Sequence, residues 1–170
     1  MVVAGCSFHG LTHGSGGNGR PASATERAER NGLVYAAVVR ELIEVDHGFG
    51  HAPSRYRHVY ILDGPVPGAG NPMRVPGAPR HAFGAGVKWE IAHHLEGLPP
   101  VDFVRAQPVH VPGRGVFVRL GPVRWINRST ARVSHSRWAN GRDGRWAAYI
   151  VRFGQTGWHV TAIVGPVALS

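Results

Sequence analysis

The chain has 170 residues, of which 43% are hydrophobic, and this size suits one globular domain with a tail rather than several domains. Its 24 Gly and 13 Pro imply many turns and argue against a helical bundle, and a single Cys excludes an intramolecular disulfide. The net charge of +9 is concentrated in residues 103–170, which hold ten Arg against one carboxylate, Asp143. We expect this region to attract polyanions and anionic lipid headgroups. Alternatively, the coding bias of a GC-rich genome accounts for part of the Arg content.

The N-terminal residues contain a short motif that ends at the single Cys. Val3-Ala4-Gly5-Cys6 resembles the lipobox of bacterial lipoproteins, in which an aliphatic residue and two small residues precede the Cys that receives a diacylglyceryl group. The resemblance implies that Cys6 is lipidated and anchors the protein to the extracellular face of the cell membrane. A signal peptide needs a charged start and an apolar run of about 7 to 15 residues. We therefore expect this leader to lie upstream of Met1; if Met1 is the genuine start, the expected location is the cytoplasm.

Residues 7–23 are rich in Gly and Ser and poor in apolar side chains. Such a tract behaves as a flexible coil and fits the spacer that a lipoprotein needs between its anchor and its folded part. We therefore divide the chain into residues 1–23, the residual signal and tether, and residues 24–170, a single globular domain.

The first predicted element is a long helix. Ser23 and Glu26 have the spacing of a capping box, so the helix should begin near Ala24. Apolar residues then recur every three or four positions, at Val34, Val38, Leu42 and Val45. The pattern predicts a helix that ends before Gly48.

The middle of the chain alternates between strands and a second helix. His58 to Gly64 is rich in β-branched and aromatic residues and predicts a strand, whereas the Pro and Gly content of residues 65–79 predicts a loop. Phe83 to Leu95 has an apolar stripe that predicts a second helix. Val101 to Arg105 and Gly115 to Leu120 predict two further strands.

The end of the chain predicts an antiparallel meander. Three strand-length runs, Ser129 to Trp138, Arg145 to Phe153 and Trp158 to Val164, are separated by short polar segments. The Asn-Gly and Asp-Gly pairs within residues 140–144 provide the positive φ angles that hairpin turns require.

This order of elements resembles the cone-shaped fold of the nuclear-transport-factor-2-like and cystatin-like groups. The resemblance implies an α+β protein with a curved antiparallel sheet of about five or six strands, packed on one long N-terminal helix and a second, shorter helix. The segments Val34 to Gly64 and Gly144 to Ser170 also resemble secreted proteins of Gram-positive bacteria, a likeness that implies no activity.

The basic C-terminal strands contain the candidate binding residues. Strand alternation places Val133, His135 and Arg137 on one face and Arg132, Ser134, Ser136 and Trp138 on the other. Arginines interleaved with Trp bind phosphates and stack on rings, which is typical of proteins that bind single-stranded nucleic acid or acidic polysaccharide. The candidate anion-binding residues are Arg132, Arg137, Arg142 and Arg145. For an exported protein we expect an anionic envelope component or a small ligand as partner, and nucleic acid only if the protein is intracellular. The alternative is that the Trp residues belong to the core and the arginines solvate the outer surface.

A second functional hypothesis is an enzyme with a carboxylate or His in a cone-shaped pocket, and Asp46, His47 and Asp63 are its candidate catalytic residues. Asp46-His47 also suits a helix end, and Asp63-Gly64 suits a turn. His93 and His94 are neighbours on one helix and point about 100° apart, so they do not serve one metal ion together. We predict no metal site and no cofactor.

Overall fold

The computed structural model of the chain describes residues 23–48, 54–73, 77–108, 110–139 and 143–169. Cys6, the tract after it and Arg142 lie outside the described residues. The described residues form two helices and seven strands in the order α1 (Ala24–Glu44), β1 (His58–Leu62), α2 (Ala85–His94), β2 (Val101–Val104), β3 (Gly115–Leu120), β4 (Arg124–Asn127), β5 (Thr130–Trp138), β6 (Gly144–Gly154) and β7 (Gly157–Leu169).

The strands form one mixed sheet with the order β2-β1-β3-β5-β6-β7, and β4 pairs with β5 outside this path. The α+β class is confirmed. The sheet is not antiparallel throughout, because β1 runs parallel to both β2 and β3, whereas the other pairs are antiparallel. Parallel pairing needs a long crossover, and the segment between β1 and β2, which contains α2, provides it.

Helix α1 forms where the capping box predicted it. The Ser23 hydroxyl accepts a hydrogen bond from the Glu26 amide at 3.1 Å, and the Glu26 carboxylate accepts one from the Ser23 amide. The apolar stripe is buried at Val34, Val38 and Leu42, which are at most 1% exposed, whereas Val45, the residue that caps the end of the helix, is 63% exposed. Each such side chain stabilises the fold by roughly 1.5 to 3 kcal/mol, so burial of this stripe holds α1 against the sheet.

The two faces of the sheet are covered differently. The helix-covered face contains Ala131, Val133, Tyr149 and Val151, which pack with α1 in the main core. The opposite face, called here the outer face, is covered over part of its area by the segment 65–71. Val66 and Ala69 of this segment pack with Leu62, Val111 and Phe117 in a smaller apolar cluster. Elsewhere on the outer face, Arg124, Arg132 and Arg152 are exposed.

The C-terminal meander is confirmed by β5, β6 and β7, which pair in sequence. Strand β4 was not predicted. Its four residues begin two positions after Pro122, and four residues are too few to show a periodic pattern. Within the part of the chain that the structure describes, no helix has both the length and the apolar character needed to cross a membrane.

Candidate anion-binding site

Two arginines stand directly opposite each other on the outer face. The register of β4 and β5 pairs Arg124 with Arg132, so both side chains leave the sheet on the same side. Both residues are exposed. Like charges in this position repel each other, and an anion between them would remove the repulsion.

The two arginines line a groove of about 340 Å³. One wall comes from the segment 67–71, and the floor comes from β5, β6 and β7. The groove is lined by Pro67, Gly68, Gly70, Asn71, Pro122, Arg124, Arg132, Ser134, Ala147, Ala148 and Val164. Ser134 and Asn71 add hydroxyl and amide donors, and the small side chains of the floor leave the space open.

Glycine allows this wall to approach the sheet closely. A Cβ atom on Gly70 would overlap the carbonyl oxygen of Ala147, and one on Gly121 would overlap the Ser134 hydroxyl. The Gly121 amide donates to the Ser134 carbonyl at 2.7 Å. The shape of the groove therefore depends on Gly70 and Gly121, because a side chain at either position would force the backbone away from the sheet.

No carboxylate offsets the charge in the groove. None of the ten Asp and Glu residues of the chain is among the residues that line it. In the described part of the chain, the ion pairs that involve arginine use Arg40, Arg137 and Arg145. Arg124 and Arg132 therefore keep an uncompensated positive charge at the groove, which favours an anionic ligand.

The helix-covered face holds a second group of arginines in a different environment. Arg137 and Arg145 are also directly opposite each other, but Arg137 is only 2% exposed. Its guanidinium donates to the Tyr56 hydroxyl at 2.9 Å and to the Asp143 carboxylate at 2.5 Å. Its Nε donates to the carbonyl of Asp46 at 3.0 Å. Burial of this cation is compatible with folding because its donors are paired.

Arg145 is paired in the same cluster by Asp46, which lies two residues after the end of α1. Its guanidinium forms an ion pair with the Asp46 carboxylate, which also accepts a hydrogen bond from the Tyr149 hydroxyl at 2.5 Å. Burial, and then the hydrogen bond to Asp46, raises the pKa of Tyr149, so this hydroxyl keeps its proton and acts as a donor. We call Arg137, Arg145, Asp46, Asp143, Tyr56 and Tyr149 the buried ionic cluster.

His135 lies beside the buried ionic cluster and is fully buried. Its ring centroid is 4.1 Å from that of Tyr149, and neither ring nitrogen has a hydrogen-bond partner among the described residues. Burial, together with the charges of Arg145 and Arg137, lowers the pKa of His135 to about 3. The imidazole is therefore neutral at physiological pH.

The structure separates the predicted anion-binding residues. Arg132 lines the open groove, whereas Arg137 and Arg145 lie on the helix-covered face and are neutralised by Asp143 and Asp46. Strand alternation predicted that Arg137 and Arg132 lie on opposite faces of the sheet, and the structure confirms this separation. Arg142 lies outside the described residues. Sequence reasoning missed Arg124, which becomes a neighbour of Arg132 only through the pairing of β4 with β5.

The candidate catalytic residues have separate partners. Asp46 belongs to the buried ionic cluster, and His47 is 3% exposed with its carbonyl accepting from Tyr56 at 3.0 Å. Asp63 lies at the end of β1, where it pairs with Lys88 at 2.6 Å and accepts from the Phe83 amide at 3.1 Å. These contacts attach α2 and the turn before it to β1. Within the described residues, no group of three or more His, Cys, Asp and Glu gathers as a metal site would require.

A second cleft of about 510 Å³ lies between the two helices and the β6–β7 hairpin. Phe153 and Trp158 form its aromatic wall. Its lining includes the carboxylates Glu29 and Glu90 as well as Arg40 and His94, and Glu90 contacts His94 at 3.3 Å. Because the cleft is lined by residues of both charges, its charge does not favour an anionic ligand, unlike that of the groove at Arg124 and Arg132.

Comparison of the chain with protein-family models, with curated proteins and with solved structures finds no match.

Proposed function

We propose that this protein is a non-enzymatic domain that binds an anionic polymer of the cell envelope and is tethered to the extracellular face of the membrane through a lipid on Cys6. The observation that carries the binding proposal is the exposed pair of Arg124 and Arg132, directly opposite each other beside a groove with no carboxylate in its lining. Two guanidinium groups that face one space bind oxyanions through charge-assisted hydrogen bonds.

A repeating anion fits this surface better than a single small one. Arg152 follows on the same face of β6, diagonal to Arg132 and opposite Thr130. Directly opposite residues have Cβ atoms about 5 Å apart and diagonal ones about 7 to 8 Å apart. The three cations therefore extend beyond the groove, and successive anionic groups of one chain would contact successive arginines.

The tether is supported by the Val3-Ala4-Gly5-Cys6 motif and by the Gly/Ser-rich tract that follows it. The resemblance to the cone-shaped fold is a proposal of the same kind. It is supported by α1, which packs against β5, β6 and β7, and the parallel strands at β1 are a departure from it.

The binding proposal is tested with the full-length protein and poly(glycerol phosphate) as the probe. The double variant Arg124→Gln/Arg132→Gln should weaken binding about tenfold or more, which corresponds to about 1.4 kcal/mol. The control Arg27→Gln/Arg57→Gln removes the same charge from exposed positions elsewhere and should change affinity less than twofold. Affinity should also fall as salt is raised, because salt screens exposed charges. Equal losses in the two double variants would refute the groove as the site.

The tether is tested by labelling cells with radioactive palmitate. The label should appear in the native protein and disappear in the Cys6→Ser variant, which should also leave the membrane fraction. An unlabelled native protein in the cytosol would refute the lipid anchor and leave the groove proposal to be judged by binding alone.

A further inference from the structure

A third cavity on the outer face has walls of a different character. It has a volume of about 210 Å³ and is lined by Gln107, Phe117, Arg119, Ser136, Arg137, Trp138 and Trp146. Three neighbouring strands build it through their register. Arg119 of β3 is opposite Ser136 of β5, which is opposite Trp146 of β6.

The adjacent row of the sheet leaves room beside the aromatic rings. Phe117 is opposite Trp138, and Trp138 is opposite Gly144, which has no side chain. Trp138 and Trp146 are both half-buried. The two indole rings therefore border a space next to Gly144, and flat apolar surfaces of this kind favour a planar ring between or against them.

The positive charge of Arg119 in this cavity is not neutralised by a carboxylate of the described residues. Arg119 is half-buried, and its guanidinium donates a hydrogen bond to the amide oxygen of Gln107, a neutral group. Burial lowers the pKa of Arg119, because removal from water disfavours its charged form. No Asp or Glu lines the cavity. Burial of a cation beside a neutral partner is unfavourable, and a bound carboxylate would compensate it.

Arg137 also contributes to the wall, but its guanidinium is engaged by Tyr56 and Asp143 in the buried ionic cluster. Arg119 is therefore the cation available to a ligand. The volume lies below the roughly 300 Å³ at which pockets for drug-sized molecules begin. A ligand with one ring and one acidic group matches this space.

We propose that this cavity binds a small aromatic carboxylate, with the carboxylate on the Arg119 guanidinium and the ring against Trp138 and Trp146. The Ser136 hydroxyl and the Gln107 amide are the further polar groups that orient it. This site is independent of the groove at Arg124 and Arg132, because the two sets of lining residues have no member in common.

The test is calorimetric titration of the full-length protein with three probes of similar size. Benzoate has both the ring and the charge, benzamide lacks the charge, and cyclohexanecarboxylate lacks the flat ring. Benzoate should bind at least tenfold more tightly than either of the others. Similar affinities for all three, or no binding of benzoate, would overturn the proposal.

Two variants assign the contacts. Arg119→Met should remove the preference for benzoate over benzamide, and Trp146→Leu should remove the preference for benzoate over cyclohexanecarboxylate. The control Arg105→Met removes an exposed arginine near the end of β2 and should leave benzoate binding within twofold of the native value. An Arg119→Met protein that binds benzoate as the native protein does would refute the site.

A spectroscopic measurement on the native protein covers the case in which a variant fails to fold. Benzoate should shift the indole N–H resonances of Trp138 and Trp146 and leave that of Trp89, which is on α2, unchanged. Shifts confined to Trp89 would refute the proposal. The outcome is separate from the polymer proposal, since Arg124→Gln/Arg132→Gln should not affect benzoate and Arg119→Met should not affect poly(glycerol phosphate).

Discussion

Two pairs of arginines occupy equivalent positions in this sheet and have opposite environments. Arg137 and Arg145 are directly opposite each other on the helix-covered face, and Arg124 and Arg132 are directly opposite each other on the outer face. In the first pair each guanidinium has a carboxylate, whereas within the described residues the second pair has none. Two arginines in directly opposite positions thus stabilise the fold on the helix-covered face, whereas the equivalent pair on the outer face is available to bind a ligand.

The physical reason for the difference is burial. A guanidinium that leaves water without a partner carries a large desolvation penalty, so the helix-covered face accepts Arg137 and Arg145 only together with Asp143 and Asp46. An exposed guanidinium is hydrated and needs no carboxylate. Unpaired arginines are therefore tolerated on the outer face, where a ligand can reach them.

The largest expected effect comes from removal of the buried charge. Arg137→Met leaves Asp143 and the Tyr56 hydroxyl without their main donor, and we expect the free energy of unfolding to fall by about 3 to 5 kcal/mol. Arg132→Met, on the same strand but exposed, should change it by no more than about 0.5 kcal/mol. Urea denaturation of both variants measures the difference. Equal stability changes would show that the two faces do not differ as described.

A second effect concerns pH. The pKa of His135 is about 3 in the folded protein, whereas an exposed histidine in the unfolded chain has a pKa of about 6.5, so below pH 6.5 the unfolded state binds the additional proton. The contribution of His135 is therefore fully present above pH 6.5 and declines as pH falls towards 3. At pH 5 the loss is about 2 kcal/mol, at 1.36 kcal/mol per pH unit.

Denaturation curves between pH 7 and pH 5 test this effect in the variant His135→Leu. The variant should show a smaller loss of stability over this range than the native protein by about 2 kcal/mol. The control His159→Leu replaces an exposed histidine on β7 and should retain the native pH dependence. An unchanged pH dependence in His135→Leu would contradict the burial of a neutral imidazole beside Arg137 and Arg145.

The smallest expected effect has the opposite sign. Because Arg124 and Arg132 repel each other across β4 and β5, Arg124→Gln should raise the free energy of unfolding by about 0.2 to 0.5 kcal/mol at low salt. The gain should disappear near 1 M salt, where the Debye length is about 3 Å. Thermal denaturation at the two salt concentrations measures it. Destabilisation by Arg124→Gln would mean that this arginine is paired in the folded protein.

Local patterns were sufficient for most elements of the fold. The capping box at Ser23 and the stripe from Val34 predicted α1, and β-branched runs separated by turn residues predicted β5, β6 and β7. Each of these patterns consists of residues that belong to the predicted element itself or lie within a few positions of it. The parallel pairing of β1 was not predictable in this way, since it joins strands that are far apart in the chain.

The candidate sites were predicted only in part. The sequence indicated a basic C-terminal region and named Arg132, but it grouped this residue with Arg137 and Arg145, which the structure pairs with Asp143 and Asp46. Arg124 and Arg119 were missed. Each gains its role from a neighbour on another strand, and no local sequence pattern predicts which residues of two strands are paired.

The sequence by itself determined the helices, most strands, the alternation of faces and the concentration of positive charge after residue 103, because each of these depends on residue type and short spacing. The tertiary structure decided which arginines are neutralised and which remain available. That choice depends on where the ten carboxylates come to lie, and Asp46 reaches Arg145 only once α1 has packed on the sheet. Residues so far apart in sequence form ion pairs only in the folded chain. The tertiary structure therefore decides which arginines belong to the core and which belong to a binding surface.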